Sequence, residues 1–89
     1  MCLNEKRDEV KEFLIKINAL GKNKEQKLEW LEKEFNLLKL AVENSEREYI
    51  SHQIYDMMYL LFEIAADNDC DLNSEWSNGK AKKDKKYLG

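Results

Sequence analysis

The chain has 89 residues, of which 37% are charged and 43% are hydrophobic, and it contains no proline. The hydrophobic fraction is too high for a disordered chain, and the length allows one domain with a modest core, so a lone monomer would be marginally stable. The net charge of −3 combines +4 over residues 80–89 with −7 over the preceding residues. An acidic body excludes a groove for a nucleic-acid polymer, which needs broad positive potential.

Cysteine spacing and hydropathy narrow the possible class of protein further. Cys2 and Cys70 lack the spacing of a zinc site or a disulfide framework. The most apolar segment, residues 57–66, is about half as long as a membrane span, and no N-terminal signal pattern precedes it. We therefore expect a soluble, cytoplasmic, all-α protein without a membrane partner, organised as a single domain over residues 1–89.

The first half of the chain predicts two helices. The first spans Asn4–Leu20, with Gly21 as its C-cap. Its apolar residues recur at helical spacing, namely Val10, Phe13, Leu14, Ile17 and Leu20. The second spans Asn23–Glu43 and opens with an Asn23-x-x-Gln26 capping pattern. Its apolar stripe consists of Leu28, Leu31, Phe35, Leu38 and Val42.

The second half predicts two more helices. The third spans Ser45–Asp67, and Ser45-x-x-Glu48 at its start is typical of a capping box. Its main apolar stripe consists of Ile50, Ile54, Met57, Leu61 and Ile64. The fourth spans Leu72–Lys86, although Gly79 weakens it, and the lysines of residues 80–89 form a basic tail.

The second and third helices are more apolar than a single core requires. Outside the main stripes, the second helix carries Trp30, Leu37 and Ala41, and the third carries Tyr59, Leu60 and Phe62. A helix that is apolar almost all round must be covered from more than one side. We therefore expect oligomerisation, as a homodimer or homotetramer, to complete the core.

Acidic residues on these two helices indicate a cation site. Glu29 and Glu32 are three residues apart, as are Gln53 and Asp56. In an antiparallel hairpin the two pairs can face each other, and facing carboxylates suit Mg²⁺, with Mn²⁺ as an alternative. The other interpretation is a solvated acidic face and a plain surface pair between His52 and Asp56.

This order of elements resembles the all-α nucleoside triphosphate pyrophosphohydrolases of the MazG type. Their pattern is E-x-x-E on one helix and E-x-x-D on the next, and this chain has "EWLE" at 29–32 and "QIYD" at 53–56. The segments "HQIYDMMYLL" and "AADNDCDLNSEW" are similar to the family's third helix and its continuation, and "KAKKD" at 80–84 is similar to its basic fourth helix. The resemblance covers about residues 24–87.

The resemblance implies a four-helix MazG-like bundle and a reaction. A nucleoside triphosphate, canonical or damaged, would be split into a monophosphate and pyrophosphate, with Mg²⁺ neutralising phosphate oxygens. Glu29, Glu32, Gln53 and Asp56 would hold the cation, and the three carboxylates among them would be catalytic. Lys80 or Lys83 would hold phosphate, and Trp30 would stack on the base.

The chain also departs from the family pattern. Gln53 stands where the family has the first glutamate of its second pair, and His52 stands where another glutamate often precedes it. Two negative charges are thereby missing, which lowers the expected cation affinity. The alternative function is therefore a catalytically degenerate scaffold that binds nucleotides or proteins. A third interpretation is a small helical protein whose likeness to the family is amphipathic patterning alone.

Overall fold

Long runs of helix-forming residues, uninterrupted by proline, fold into four α-helices joined by turns of three to seven residues. In the computed structural model, which describes residues 2–89, these are α1 (Leu3–Lys16), α2 (Lys24–Glu43), α3 (Arg47–Asp67) and α4 (Leu72–Tyr87). Residue 1 of the predicted domain lies outside the described part. The all-α prediction is confirmed, because residues 2–89 form helices and turns without a strand.

The first three helices end in the same way, with a non-glycine residue in the left-handed conformation. Asn18, Ser45 and Asp69 have φ angles of 56°, 56° and 52°. One residue further on, an amide N–H donates back to the carbonyl oxygen five residues earlier, at 2.8–3.0 Å in all three turns. This is the Schellman motif, which satisfies carbonyls that a helix end otherwise leaves free.

These helix ends correct three capping predictions. Gly21 does not cap α1, because the helix ends at Lys16 and Asn18 takes the left-handed position. Asn23 precedes α2, but it also has a positive φ and its side chain caps no amide. Ser45 is not the N-cap of α3 either; it terminates α2, and Glu46 precedes α3.

The packed core of one chain is built by α1, α2 and α3. Both α1 and α2 pack on α3, whereas α4 packs on α1. Val10, Leu14 and Ala66 form the buried cluster, and Phe62 and Tyr59 pack against it. The Tyr59 ring also meets the Phe13 ring edge-on, with 6.1 Å between centroids.

The fourth helix is attached at its beginning. The Asn4 side-chain oxygen accepts from the amides of Leu72 and Asn73, at 2.8 and 3.3 Å, and its amide nitrogen donates to Asp71 at 3.0 Å. Asp71 also accepts from the backbone and hydroxyl of Ser74, and so caps α4. The hydrogen bond from Asn4, followed by those from Ser74, lowers the pKa of Asp71 to about 2. No residue of α4 is buried, so this helix extends from the body of the chain.

The contact between the antiparallel helices α2 and α3 follows a coiled-coil spacing. We call it the inner seam; its residues alternate in steps of three and four, and they are Lys27, Leu31, Glu34, Leu38 and Ala41 on α2 and Gln53, Asp56, Leu60, Glu63 and Asp67 on α3. Lys27 Nζ lies 2.5 Å from Asp67 Oδ2, and their side chains are only 2% and 4% exposed. The Lys27 ammonium also donates to the carbonyl of Ala19, and Asp67 accepts from the amide of Gly21. The seam is therefore largely polar.

Of the two predicted apolar stripes, Leu31 and Leu38 lie in this seam, and the other members lie beside it. Leu28, Phe35 and Val42 on α2, and Ile54 and Leu61 on α3, are each 45–57% exposed. Conversely Ala41 and Leu60, which the sequence placed outside the stripes, are buried. Steps of three and four occur twice on each helix, and the inner-seam series is the one that forms the contact between α2 and α3.

Breaking the buried pair tests its contribution to the fold. Asp67→Asn leaves the Lys27 ammonium buried beside a neutral amide, and we expect a loss of about 3 kcal/mol in unfolding free energy. Urea denaturation at pH 7 measures it. The control is Asp84→Asn, which removes the exposed pair of Lys80 and Asp84, 3.2 Å apart, and is expected to cost less than about 1 kcal/mol. Equal losses would contradict a special role for the buried pair.

Replacing Ser45 with glycine tests whether this residue is the N-cap of α3 or the left-handed residue that ends α2. Because Ser45 has φ 56°, Ser45→Gly relieves the steric cost of the left-handed conformation and should stabilise the protein by about 1 kcal/mol. A capping serine would give a loss instead. Thermal denaturation distinguishes the two, with Ser51→Gly in the exposed interior of α3 as the control, expected to cost about 0.5 kcal/mol.

Candidate functional site

Asp56 lies in a cavity of about 590 Å³ between α2 and α3. Two further carboxylates, Glu34 and Glu63, line the same cavity because they are inner-seam residues. The other lining residues are the aromatic rings of Trp30, Tyr55 and Tyr59, the ammonium of Lys33, and Leu60. Acidic groups, flat rings and one cation thus converge on a single space large enough for a small ligand.

The structure brings Asp56 and Trp30 together but leaves Glu29 and Glu32 elsewhere. At 100° per residue, Glu29 and Glu32 project roughly 160° and 140° away from Lys27, which faces α3. Both are exposed, and Glu29 lines a separate depression at the start of α2. The predicted facing of these glutamates with Asp56 is therefore not formed within the chain. Over residues 2–89, no three acidic, histidine or cysteine side chains come together as metal ligands.

The predicted phosphate-binding lysines also lie apart from this cavity. Lys80 and Lys83 sit on α4, beside a shallow groove with Trp76 and Asp84. The Lys80 ammonium is 3.2 Å from the Asp84 carboxylate, on an exposed surface. The lysine that lines the Asp56 cavity is Lys33, on α2.

Two buried oxygens near Asp56 have no hydrogen-bond donor among the described residues. They are Glu34 Oε2 and Gln53 Oε1. Both are acceptors, and a buried acceptor without a donor or a cation is costly. Asp56 itself is half-buried and has an imidazole nitrogen of His52 3.2 Å from Oδ2, so the surface pair considered from the sequence is present. Among residues 2–89, no side chain forms an ion pair with the other Asp56 oxygen, Oδ1.

The electrostatics of the cavity are set by burial at its inner end. Glu63 is only 8% exposed. Desolvation raises the pKa of its carboxyl, the nearby Lys27 ammonium opposes that rise, and the Asp67 carboxylate adds to it. The cavity therefore holds one carboxyl that retains a proton more readily than an ordinary glutamate.

Three residues that matter here were not singled out from the sequence: Lys27, Glu34 and Asp67. The signal that identifies them is the alternation of three and four shared by both helices, which places Lys27 opposite Asp67 and Glu34 near Asp56 and Leu60. A search for apolar stripes passes over this series because most of its members are polar.

Comparison with protein-family models, with curated proteins and with solved structures finds no match to this chain.

Among the helices of residues 2–89, none combines the length and the apolar character that a membrane crossing needs.

The pKa of Glu63 gives a pH dependence that can be measured. A carboxyl whose folded pKa is raised above its ordinary value of 4.5 contributes stability below that pH, and this contribution is lost as the pH rises through the folded pKa. Glu63→Gln removes that titration, so we expect its unfolding free energy to fall less than that of the wild type as the pH rises above 4.5. Denaturation at a series of pH values checks this, with the exposed Glu29→Gln as control. Parallel profiles for Glu63→Gln and the wild type would contradict it.

Proposed function

We propose that the Asp56 cavity binds a nucleoside triphosphate with a divalent cation, and that the protein is a Mg²⁺-dependent pyrophosphohydrolase built on a MazG-like helical scaffold. The observation that carries the proposal is the pair of buried oxygens without donors, on Glu34 and Gln53. Gln53 lies one turn before Asp56 on α3, and Glu34 lies on α2 and lines the same cavity as Asp56. Hard oxygen donors of this kind are the ligands that Mg²⁺ prefers, and Mn²⁺ is the alternative.

The proposed ligand set differs from the one that the resemblance implies. Asp56 and Gln53 are kept, and Glu34 replaces Glu29 and Glu32, because Glu34 lines the cavity and they do not. When bound, the cation would neutralise charge on the phosphate oxygens. His52 holds one oxygen of Asp56 and leaves the other for a ligand.

The remaining lining residues suit the rest of the nucleotide. Trp30 and Tyr55 offer flat apolar faces for the base, and Lys33 offers a cation for phosphate oxygens. The raised pKa of Glu63 makes it a candidate to hold a proton at the inner end of the cavity. Substrate binding is thus assigned to α2 and α3, and the basic residues of α4 are not required for it.

A second candidate function is supported by the same geometry. With Gln53 in place of a carboxylate and with Glu29 and Glu32 turned away, the cavity has less negative charge than a cation site usually needs. A degenerate scaffold that binds a nucleotide or a protein without turnover fits this deficit.

Pyrophosphate release from a panel of NTPs and dNTPs, with Mg²⁺ or Mn²⁺, tests the proposal. We expect turnover by the wild type, a loss of at least about 100-fold in kcat/KM for Asp56→Ala, and a loss of about 10-fold or more for Glu34→Gln. Gln53→Glu adds a carboxylate to the proposed ligand set and should raise activity. Glu29→Gln is the matched control, because it makes the same change on an exposed face of the same helix.

The outcomes separate the alternatives. Loss of activity in Glu29→Gln but not in Glu34→Gln would contradict the structural ligand set and favour the one implied by the resemblance. No turnover by the wild type, together with a nucleotide-dependent rise in Tm that Asp56→Ala abolishes, would favour the binding scaffold. Neither turnover nor a rise in Tm would contradict both.

A further inference from the structure

Glu63 lines the Asp56 cavity without a partner of its own. It is only 8% exposed, and no group within residues 2–89 donates a hydrogen bond to its carboxyl or forms an ion pair with it. The Lys27 ammonium, whose charge acts on Glu63, already donates to Asp67 and to the carbonyl of Ala19. A buried carboxyl with unused oxygens is costly unless a ligand supplies donors. Glu63 is not one of the proposed cation ligands, so its position calls for a different ligand group.

The register of the inner seam places Glu63 near Trp30 and away from Asp56. One step of four residues along each helix from the buried ion pair sets Leu31 opposite Glu63. Trp30 precedes Leu31 and lines the cavity together with Glu63. Asp56 comes seven residues before Glu63, which is about 10 Å along α3 at 1.5 Å per residue. The cavity therefore has an aromatic end with Glu63 and a polar end with Asp56.

A nucleotide is divided in the same way, into a flat base and charged phosphates. The phosphates suit the Asp56 end, where the proposed cation would lie, and the base suits the Trp30 end. Trp30 is 43% exposed, so part of its ring is available to a ligand. Tyr59 lies one turn before Glu63 on α3 and adds a second ring to the cavity wall. In this orientation the edge of the base that carries its donors and acceptors meets Glu63.

The carboxylate of Glu63 has a hydrogen-bonding pattern that distinguishes the bases. An ionised carboxylate is an acceptor only, with two oxygens side by side. Among the common bases, guanine alone has two adjacent donors on its pairing edge, N1–H and the 2-amino group. Adenine and cytosine have one donor group beside an acceptor, and uracil and thymine have one donor between two acceptors. A carboxylate therefore forms a bidentate pair with guanine and a single hydrogen bond with any other base.

We propose that the Asp56 cavity prefers guanine nucleotides and that Glu63 determines this preference, by accepting from N1–H and the 2-amino group while Trp30 stacks on the base. The inference rests on the proposed function for the class of ligand, and it adds the base that the site selects. Burial strengthens the discrimination, because a base that lacks one donor leaves a carboxylate oxygen unpaired away from water.

Nucleoside monophosphates test base selection apart from turnover, because they cannot release pyrophosphate. GMP and IMP differ only in the 2-amino group. Titration calorimetry of the full chain at pH 8 should give a Kd for GMP at least about 10-fold lower than the Kd for IMP, AMP, CMP or UMP. Equal affinity for GMP and IMP, or tighter binding of another base, would overturn the proposal.

Glu63→Gln tests the residue itself. The amide keeps the shape of the side chain but has one acceptor and one donor group, so it can accept only one hydrogen bond side by side with its donor. We expect the affinities for GMP and IMP to come within about 2-fold of each other in this variant. Glu29→Gln makes the same change on an exposed face of α2 and should keep the wild-type preference. Circular dichroism shows whether each variant is folded, and a folded Glu63→Gln with the wild-type preference would overturn the role of Glu63.

Pyrophosphate release separates a failure of this inference from a failure of the proposed function. Turnover of all NTPs with similar kcat/KM would overturn the guanine preference and leave the pyrophosphohydrolase standing. A preference for GMP without turnover of GTP would support the base site and contradict the reaction. Absence of binding by every nucleotide would overturn the base site and the nucleotide function together.

Discussion

The ion pair between Lys27 and Asp67 is the interaction on which the rest of the structure depends. Both side chains are almost completely buried, and removing either charge from water is unfavourable unless the other is present. The pair also reaches beyond the two helices, because Lys27 donates to the carbonyl of Ala19 and Asp67 accepts from the amide of Gly21. The turn after α1, the start of α2 and the end of α3 are thus fixed by one pair of charges.

A polar seam and an apolar face on the same hairpin serve different purposes. Slipping α3 along α2 by one turn would bury Lys27 and Asp67 without their partners, so the polar seam favours a single register. Apolar residues would tolerate several registers, but they supply most of the area available for burial. Because polar residues occupy much of the inside of the hairpin, several of its large apolar residues lie exposed on the flank. The same arrangement brings the carboxylates of Glu34, Asp56 and Glu63 to one cavity.

Much of the secondary structure could be predicted from the sequence, and the contacts between elements less so. The order of four helices and the end of α3 at Asp67 followed from periodicity and from the polar turn after it. The helix caps could not be predicted, because asparagine is used both as an N-cap and as the left-handed residue of a helix end, and Ser45 takes that left-handed position at a steric cost. Of the residues predicted for a site, Asp56 and Trp30 share a cavity, and Glu29 and Glu32 do not line it. Each helix carries two overlapping series with the same spacing of three and four, so spacing alone does not tell which series packs. The burial of Lys27 with Asp67 decides between them.

The attachment of α4 has a consequence for the order in which the chain assembles. Asn4 lies 67–69 residues away from the groups it binds at the start of α4, whereas the α2–α3 hairpin closes through a short turn. Local contacts form before distant ones, because closing a long loop costs more chain entropy. Helix α4 is therefore expected to dock late and, having no buried residue, to detach at a lower free energy than the hairpin. The basic segment of the chain therefore lies on α4, and α4 can detach while the α2–α3 hairpin stays folded.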